Sequence, residues 1–234
     1  MRSIIKRIKR KLIQDKPVNF LERLSPDIQE FNTVFDIGAY HGNFVDEITR
    51  KNKQLTVHCF EPFNESFKFL ENKYHSTKNV VLNNDAVSDK AGKAFFNVNS
   101  FAETNSLMES VDVNEAINAL TKKETTQQVE VITISEYCRL NSIDEIDLIK
   151  IDTQGNSYGV LLGMETLLKQ QKVKYLYVEA EFIEIYKNEK LFSEIEILMR
   201  SFGYSILDLY NFNYINDRQL AWCDVLFAKQ KEIL

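Results

Sequence analysis

The sequence predicts an α/β domain built around a mostly parallel β-sheet. Strand-like segments alternate with helical segments from residue 34 to residue 179, and helical segments of this length indicate βαβ crossovers between parallel strands. The chain ends differently, because only a short connection without a helix joins the strand-like segments Tyr204–Leu209 and Trp222–Ala228. These two segments are therefore expected to form an antiparallel hairpin.

Hydrophobic periodicity places the other elements in order. The predicted strands are Val34–Ile37, Thr56–Phe60, Val80–Asn83, Ala94–Val98, Val129–Ile134, Ile146–Ile151 and Lys174–Glu179. The predicted helices are Pro26–Glu30, Asn43–Arg50, Asn64–Lys73, Val113–Leu120, Ser135–Leu140 with Ser135 as its N-cap, Ser157–Lys169 and Leu191–Ser201. Apart from its one helical pattern, the stretch 99–128 is polar and irregular, and loops of this length are typically functional.

Size and composition limit the protein class. The 234 residues are 44% hydrophobic, which favours one large domain, predicted here for residues 31–234. No apolar run of about 18 residues and no signal peptide are visible, so no transmembrane helix is expected. The three cysteines, Cys59, Cys138 and Cys223, are far apart, which argues against a disulfide framework and fits a reducing cytoplasm.

Charge is concentrated at the N-terminus. Residues 1–16 contain seven Lys or Arg and one acid, so they carry +6, and the rest of the chain carries −11. An acidic body makes wide binding of nucleic acid improbable. Within the predicted N-terminal extension, residues 1–30, apolar residues recur at helical spacing among the basic ones. This helix either contacts a membrane surface or a membrane-bound glycosyltransferase complex, or docks on its own domain.

The loop that follows the first predicted strand, Asp36-x-Gly38-x-x-x-Gly42, indicates a ligand site. In parallel α/β sheets ligands bind at this edge, and glycine lets the backbone approach them closely. A pyrophosphate fits badly, because Tyr40 occupies the position of the second glycine in the dinucleotide fingerprint. Asp36 would repel a phosphate and attract an ammonium, so a ligand with an amino acid portion suits this loop better.

Two further acids indicate the other parts of this ligand. Glu61 follows the second predicted strand, where an acid accepts hydrogen bonds from ribose hydroxyls. Asp85 is predicted to end the third strand, where it could accept the exocyclic amine of an adenine. Amino acid, ribose and adenine contacts together describe S-adenosylmethionine (SAM).

Several sequence blocks resemble FkbM-type methyltransferases. They are Val34-Phe35-Asp36-Ile37-Gly38-Ala39-Tyr40-His41-Gly42, Phe60-Glu61-Pro62-Phe63-Asn64-Glu65-Ser66-Phe67, Ala86-Val87-Ser88-Asp89, Ile149-Lys150-Ile151-Asp152-Thr153-Gln154-Gly155 and Asp224-Val225-Leu226-Phe227. The resemblance implies the class I SAM-methyltransferase fold, a Rossmann-like three-layer sandwich. Its sheet is seven-stranded and mostly parallel, with strand order 3-2-1-4-5-7-6 and an antiparallel last strand. The implied activity is O-methylation of a hydroxyl on a sugar, glycan or natural product.

The resemblance also implies a set of site residues. Predicted SAM contacts are Asp36, Gly38, Ala39, Tyr40, His41, Gly42, Glu61, Pro62, Asp85, Ala86 and Asp152. Acceptor contacts are expected from the 99–128 insertion and its surroundings, at Asn105, Ser106 and Gln154. Two departures stand out, because Tyr40 replaces the family's asparagine and Asn156-Ser157 replace its Ala-Glu.

A sugar hydroxyl is a poor nucleophile, so a general base is expected. Asp152 is the first candidate, although it could instead orient the SAM amino group or pair with Lys150. Glu179 is the second candidate, and Glu181 and His41 are further ones.

Three alternatives remain at this point. Some sugar methyltransferases use a divalent ion, but no dense Asp, Glu or His cluster predicts a metal site here. A nucleotide-dependent oxidoreductase is disfavoured by Tyr40 and by the missing glycine fingerprint. A SAM-binding scaffold with weakened catalysis, docked on a glycan-assembly complex through residues 1–16, is the alternative that Ser157 favours.

Overall fold

The computed structural model describes residues 19–216 and 218–230 of the chain. The strands are β1 (Thr33–Ile37), β2 (Thr56–Phe60), β3 (Val80–Asn83), β4 (Asp85–Val87), β5 (Gly92–Asn99), β6 (Lys123–Ile132), β7 (Ile146–Ile151), β8 (Val173–Glu181), β9 (Tyr204–Ile215) and β10 (Gln219–Lys229). The helices are α1 (Phe20–Arg23), α2 (Ser25–Ile28), α3 (Asn43–Lys51), α4 (Asn64–Tyr74), α5 (Glu115–Leu120), α6 (Ile134–Leu140), α7 (Ser157–Gly163), α8 (Glu165–Lys169) and α9 (Phe192–Ser201). The helix predicted within residues 1–16 lies outside the described residues. Among the helices described, none combines the length and apolar character needed to cross a membrane.

Seven strands form one sheet in the order β3-β2-β1-β7-β8-β10-β9. The pairs from β3 through β8 are parallel, and β10 runs antiparallel to both β8 and β9. The predicted seven-stranded sheet with an antiparallel last strand is therefore confirmed. Parallel pairing aligns the carboxyl ends of β1, β2, β7 and β8 along one edge, which is where ligands bind in such sheets.

Helices cover both faces of this sheet. Along β7, Ile149 and Ile151 pack on one side and Leu148 on the other, as the two-residue period of a strand dictates. The first side is covered by α6, α7, α8 and α9. The second is covered by α1, α2, α3 and α4. Phe20, Leu21 and Ile28, from the range predicted as an extension, are buried in this second layer, so the packed domain includes α1 and α2.

A second sheet was not predicted. It has three strands in the order β4-β6-β5, and β6 begins at Lys123, so the prediction of an irregular stretch up to residue 128 was wrong there. Asp85 does not end β3 but opens β4, because the chain turns out of the first sheet at Asn84. The Asn84 side chain fixes this turn by donating to the backbone oxygen of Glu61 at 2.8 Å.

Two helix predictions also need correction. The helix expected from Ser157 to Lys169 is broken at Met164, whose fully buried side chain sits at a residue with φ −115° and ψ 15°. The N-cap of α6 is Thr133 and not Ser135, because the Thr133 hydroxyl accepts a hydrogen bond from the backbone N–H of Glu136 at 3.3 Å.

The terminal hairpin contains a β-bulge. Trp222 pairs with Asn213, while Asp224 pairs with Tyr210, so two residues of β9 lie opposite one residue of β10. One of the two is Asn211, which has a left-handed backbone with φ 49°. Asparagine tolerates this conformation better than most residues.

Gly163→Ala is expected to destabilise the fold by about 1–3 kcal/mol, because an added Cβ would lie 2.1 Å from the backbone oxygen of Ser88. Helix propensity alone would favour alanine by about 1 kcal/mol. Urea unfolding of the variant checks this, with Leu162→Ala on the same helix as the control, since Leu162 is 37% exposed. An increase in the free energy of unfolding would contradict the proposed contact.

Candidate functional site

The loop between β1 and α3 lies directly on the end of β7. Gly38, Tyr40 and Gly42 all have left-handed backbones, with φ of 82°, 47° and 75°. A Cβ at Gly38 would stand 1.9 Å from the backbone oxygen of Asp152, so only glycine permits this approach. At position 40 the tyrosine takes a conformation that asparagine, the usual residue of the resembling family, adopts more readily.

Asp36 is a buried acid without a hydrogen-bond partner. Its side chain is 1% exposed, and neither carboxylate oxygen makes a hydrogen bond. Lys150 Nζ lies 3.6 Å from Asp36 Oδ1, which is an ion pair but too long for a hydrogen bond. Burial raises the pKa of Asp36 to about 6, with Lys150 opposing the shift. Such a carboxylate is suited to receive donors from a ligand.

Glu61 is held by the loop it faces. Its two oxygens accept hydrogen bonds from the backbone N–H groups of Tyr40 at 2.7 Å and Phe63 at 2.9 Å. Burial raises the pKa of Glu61 to about 7, although both backbone donors lower it. The carboxylate of Glu61 is thus fixed in direction, and each oxygen retains a lone pair for a further donor.

A cavity of about 310 Å³ lies over this edge of the sheet, within the usual size range of small-molecule sites. It is lined by twelve of the residues that the sequence singled out, which are Asp36, Gly38, Ala39, Tyr40, His41, Glu61, Pro62, Asp85, Ala86, Asn105, Asp152 and Gln154. Burial raises the pKa of Asp85, which reaches the cavity from β4 of the second sheet. Phe96 and Leu107 also line the cavity and were not among the predicted site residues, because packing explains an apolar residue of a strand or loop equally well.

Three predicted residues lie outside the lining of this cavity. Gly42 is the N-cap of α3, where a Cβ would come 2.5 Å from the Tyr74 hydroxyl. Ser106 is fully buried, and its hydroxyl donates to the backbone oxygen of Gln154 at 2.6 Å, so it supports Gln154. Glu179 lines a second cavity instead.

A hydrogen-bonded cluster joins the ends of β7 and β8. The side-chain amide of Gln154 donates to Asp152 Oδ1 and to Glu179 Oε1, both at 2.9 Å. The Tyr186 hydroxyl lies 3.0 Å from Gln154 Oε1 and donates to it. Lys150 Nζ contacts the other Asp152 oxygen at 3.2 Å. The position of the Asp152 carboxylate is therefore fixed from two sides.

The pKa shifts in this cluster distinguish between the candidate general bases. Burial lowers the pKa of Lys150, but Asp152 and Asp36 together raise it above its ordinary value, so Lys150 stays protonated. Burial, reinforced by Asp152, raises the pKa of Glu179 well above its ordinary value. Burial and Glu189 do the same for Glu181, which is 2% exposed. Burial among other acids disfavours the ionised forms of Glu179 and Glu181, so Asp152 stays the first candidate for the general base.

The second cavity, of about 300 Å³, adjoins the first. Four residues line both cavities, namely Asn43, Phe44, Lys150 and Asp152. Asp152 thus faces two compartments, one of which contains most of the predicted SAM contacts.

Metal binding has no obvious place in the described residues, where no group of three or more His, Cys, Asp or Glu side chains is arranged to hold an ion. His41 stacks on the Tyr40 ring, with 3.8 Å between the ring centroids. It therefore packs beside the cavity as part of an aromatic pair.

Solved structures of methyltransferases resemble this chain at low sequence identity. TrmK of M. capricolum in complex with S-adenosyl-homocysteine aligns with a TM-score of 0.47 and 12% identity, covering 90% of this chain and 67% of that chain. The N-terminal domain of EvdMO1 with S-adenosyl-homocysteine bound aligns with a TM-score of 0.47 and 11% identity, covering 94% and 82%.

Sequence comparisons give the family. The curated relative 2-O-methyltransferase NoeI of Sinorhizobium fredii (strain NBRC 101917 / NGR234) is 24% identical over 192 residues, which are 79% of this chain and 75% of the relative. The family model described as "Methyltransferase FkbM domain" matches residues 36–206, which is more than half of the chain. The chain therefore belongs to the FkbM methyltransferase family.

Proposed function

We propose that this protein is a SAM-dependent O-methyltransferase whose acceptor is a hydroxyl of a sugar, glycan or natural product. The observation that carries the proposal is the position of the Asp152 carboxylate, which lines both cavities. A base in this position can reach a hydroxyl in one compartment and the methyl donor in the other. The name of the relative NoeI, a 2-O-methyltransferase, also supports transfer to oxygen.

The chemistry of the first cavity fits SAM. The Asp36 carboxylate, which makes no hydrogen bond, would receive donors at the amino acid end, close to the loop that Gly38 allows to lie on β7. Glu61 would accept the ribose hydroxyls, and Asp85 would face the adenine. When bound, SAM supplies an activated methyl group on a sulfonium.

The remaining catalytic work is proximity and proton removal. The chain's own residues would hold an acceptor hydroxyl next to the methyl group that bound SAM would supply. Asp152 takes the hydroxyl proton, while Lys150 and Gln154 hold the carboxylate in direction.

A scaffold with weakened catalysis is the less favoured function. It was suggested by Ser157, which replaces an acid of the family pattern. Ser157 is 1% exposed at the start of α7 and lines neither cavity. Its neighbour Asn156 lines the first cavity and donates to the backbone oxygen of Val87 at 3.0 Å. Docking through residues 1–16 and a cytoplasmic, membrane-associated location stay predictions.

Incubation with methyl-labelled SAM and a panel of glycans and hydroxylated natural products tests the proposal. We expect label in at least one acceptor, bound through an ether oxygen that survives mild base. Tight binding of SAM without transfer to any acceptor would favour the scaffold, and no binding of SAM would contradict both functions.

Affinity for S-adenosylhomocysteine is expected to rise with pH. In the free protein Asp36 and Glu61 have pKa values raised to about 6 and about 7, so both bind protons in weakly acidic solution. Donors of the ligand favour the ionised carboxylates, so binding lowers both pKa values and releases protons. Affinity should therefore be at least about tenfold lower at pH 5.5 than at pH 8.

Calorimetry in two buffers of different ionisation enthalpy measures this release. We expect a net proton release near pH 6.5 that disappears at pH 8.5. Proton uptake at pH 6.5 would contradict the roles of both acids.

A further inference from the structure

The second cavity lies between two helices and three strands. The start of α1 and the first turns of α3 form one wall, and residues within β8, β9 and β10 form the other. Besides the four residues shared with the first cavity, its lining consists of Asn19, Phe20, Glu47, Tyr177, Glu179, Tyr210, Asn211 and Asp224. None of these eight was predicted to contact SAM.

Acidic side chains dominate this lining. Glu47, Asp152, Glu179 and Asp224 face the cavity, and the only basic residue among the lining side chains is Lys150. The Lys150 ammonium is already paired with Asp36 and Asp152. Burial raises the pKa of Asp224 and the nearby charge of Asp152 adds to that shift, so the lining already disfavours negative charge.

The carboxylates of this cavity have oxygen atoms that can accept hydrogen bonds from a ligand. Asp224 Oδ2 accepts from the Tyr177 hydroxyl at 2.8 Å and from the Asn211 amide at 2.6 Å. Glu47 Oε1 accepts from the Asn19 amide at 2.8 Å. The second oxygen of each carboxylate, Asp224 Oδ1 and Glu47 Oε2, receives none of these bonds, so it can accept from the hydroxyl groups of a ligand.

We propose that the second cavity is the acceptor subsite and that it takes a polyhydroxylated acceptor without negative charge. The inference rests on the proposed methyl transfer, because it places the acceptor in the cavity that shares Asp152 with the cavity proposed for SAM. Phe20, Phe44, Tyr177 and Tyr210 also line the cavity, so apolar surface for the polyol lies beside the acids. Carboxylated or phosphorylated acceptors are excluded by charge.

A cysteine placed in the second cavity can report the charge of that cavity even when the acceptor is unknown. The native Cys59, Cys138 and Cys223 are buried, so they leave a low background for thiol reagents. Asn211→Cys places a thiol on the lining, and Asn188→Cys is the matched control. Both asparagines are exposed with left-handed backbones, φ 49° and 62°, and Asn188 lines neither cavity.

Each variant is treated with a cationic trimethylammonioethyl and an anionic sulfonatoethyl methanethiosulfonate. The ratio of cationic to anionic rates is expected to be about tenfold higher for Asn211→Cys than for the control at low salt, and the excess should shrink in high salt. Equal ratios would overturn the charge assignment. No reaction at position 211 would show that the cavity is closed to solutes and would overturn the subsite.

Two further readouts separate this inference from the proposed function. Labelled Asn211→Cys should bind S-adenosylhomocysteine within about twofold of the unlabelled variant, and loss of that binding would assign the cavity to the cofactor. For a neutral acceptor that is methylated, oxidation of its primary hydroxyls to carboxylates should lower kcat/KM at least tenfold. Equal turnover of both forms would overturn the inference. Failure of the native protein to bind S-adenosylhomocysteine would instead remove the proposed function, whatever the reagent rates.

Discussion

Asp152→Asn is expected to lower kcat by about 10²- to 10⁴-fold, the usual contribution of a positioned general base. The amide keeps the size of the side chain and its place between Lys150 and Gln154, but it cannot accept the hydroxyl proton. Steady-state kinetics measures the loss of turnover, and the Kd of S-adenosylhomocysteine shows whether the cofactor site is intact.

Asp144→Asn is the matched control, because Asp144 is exposed and lies just before the opposite end of β7. The same chemical change there should leave kcat unaltered. A large rise in the Kd with unchanged kcat at Asp152→Asn would show that this carboxylate holds the cofactor and removes no proton.

Glu61→Ala is expected to raise the Kd of S-adenosylhomocysteine by about 10- to 100-fold. A hydrogen bond to a charged group contributes about 1.5–3 kcal/mol, and the variant also releases the loop N–H of Tyr40. Calorimetric titration measures the affinity, and thermal unfolding in the same buffer shows whether the fold persists. Glu65→Ala, at an exposed position in the first turn of α4, should change neither. An unchanged Kd for Glu61→Ala would remove the ribose assignment.

Local signals explain why most of the main sheet could be predicted. Strands such as Ile146–Ile151 are rich in β-branched and apolar residues that are buried, and the acids that follow them mark the strand ends. The second sheet gave no such signal. The start of β6 reads Lys-Glu-Thr-Thr-Gln-Gln and is mostly exposed, and its pairing with β5 depends on contacts between distant parts of the chain.

The same reasoning applies to the two cavities. Glu61 and Asp152 each follow a predicted strand and Asp36 is the last but one residue of another, so their convergence at one edge was foreseeable. The second cavity draws Asn19, Glu47 and other residues from six separate segments, and no spacing in the sequence connects them. Glu179 was predicted as a site residue, but the sequence does not show that it lies in the second cavity. That position depends on its place in β8 and on its hydrogen bond with Gln154.

The bulge in β9 constrains position 211 less tightly than packing constrains the cofactor loop. An extra residue in a bulge is not needed for the strand ladder, so position 211 can change with little effect on the sheet. The left-handed backbone there favours asparagine, aspartate and glycine, which differ in charge and in donor capacity. A change between these residues would therefore alter the charge and the donors of the second cavity, while the cofactor loop, where Gly38 packs against the end of β7, stays in place.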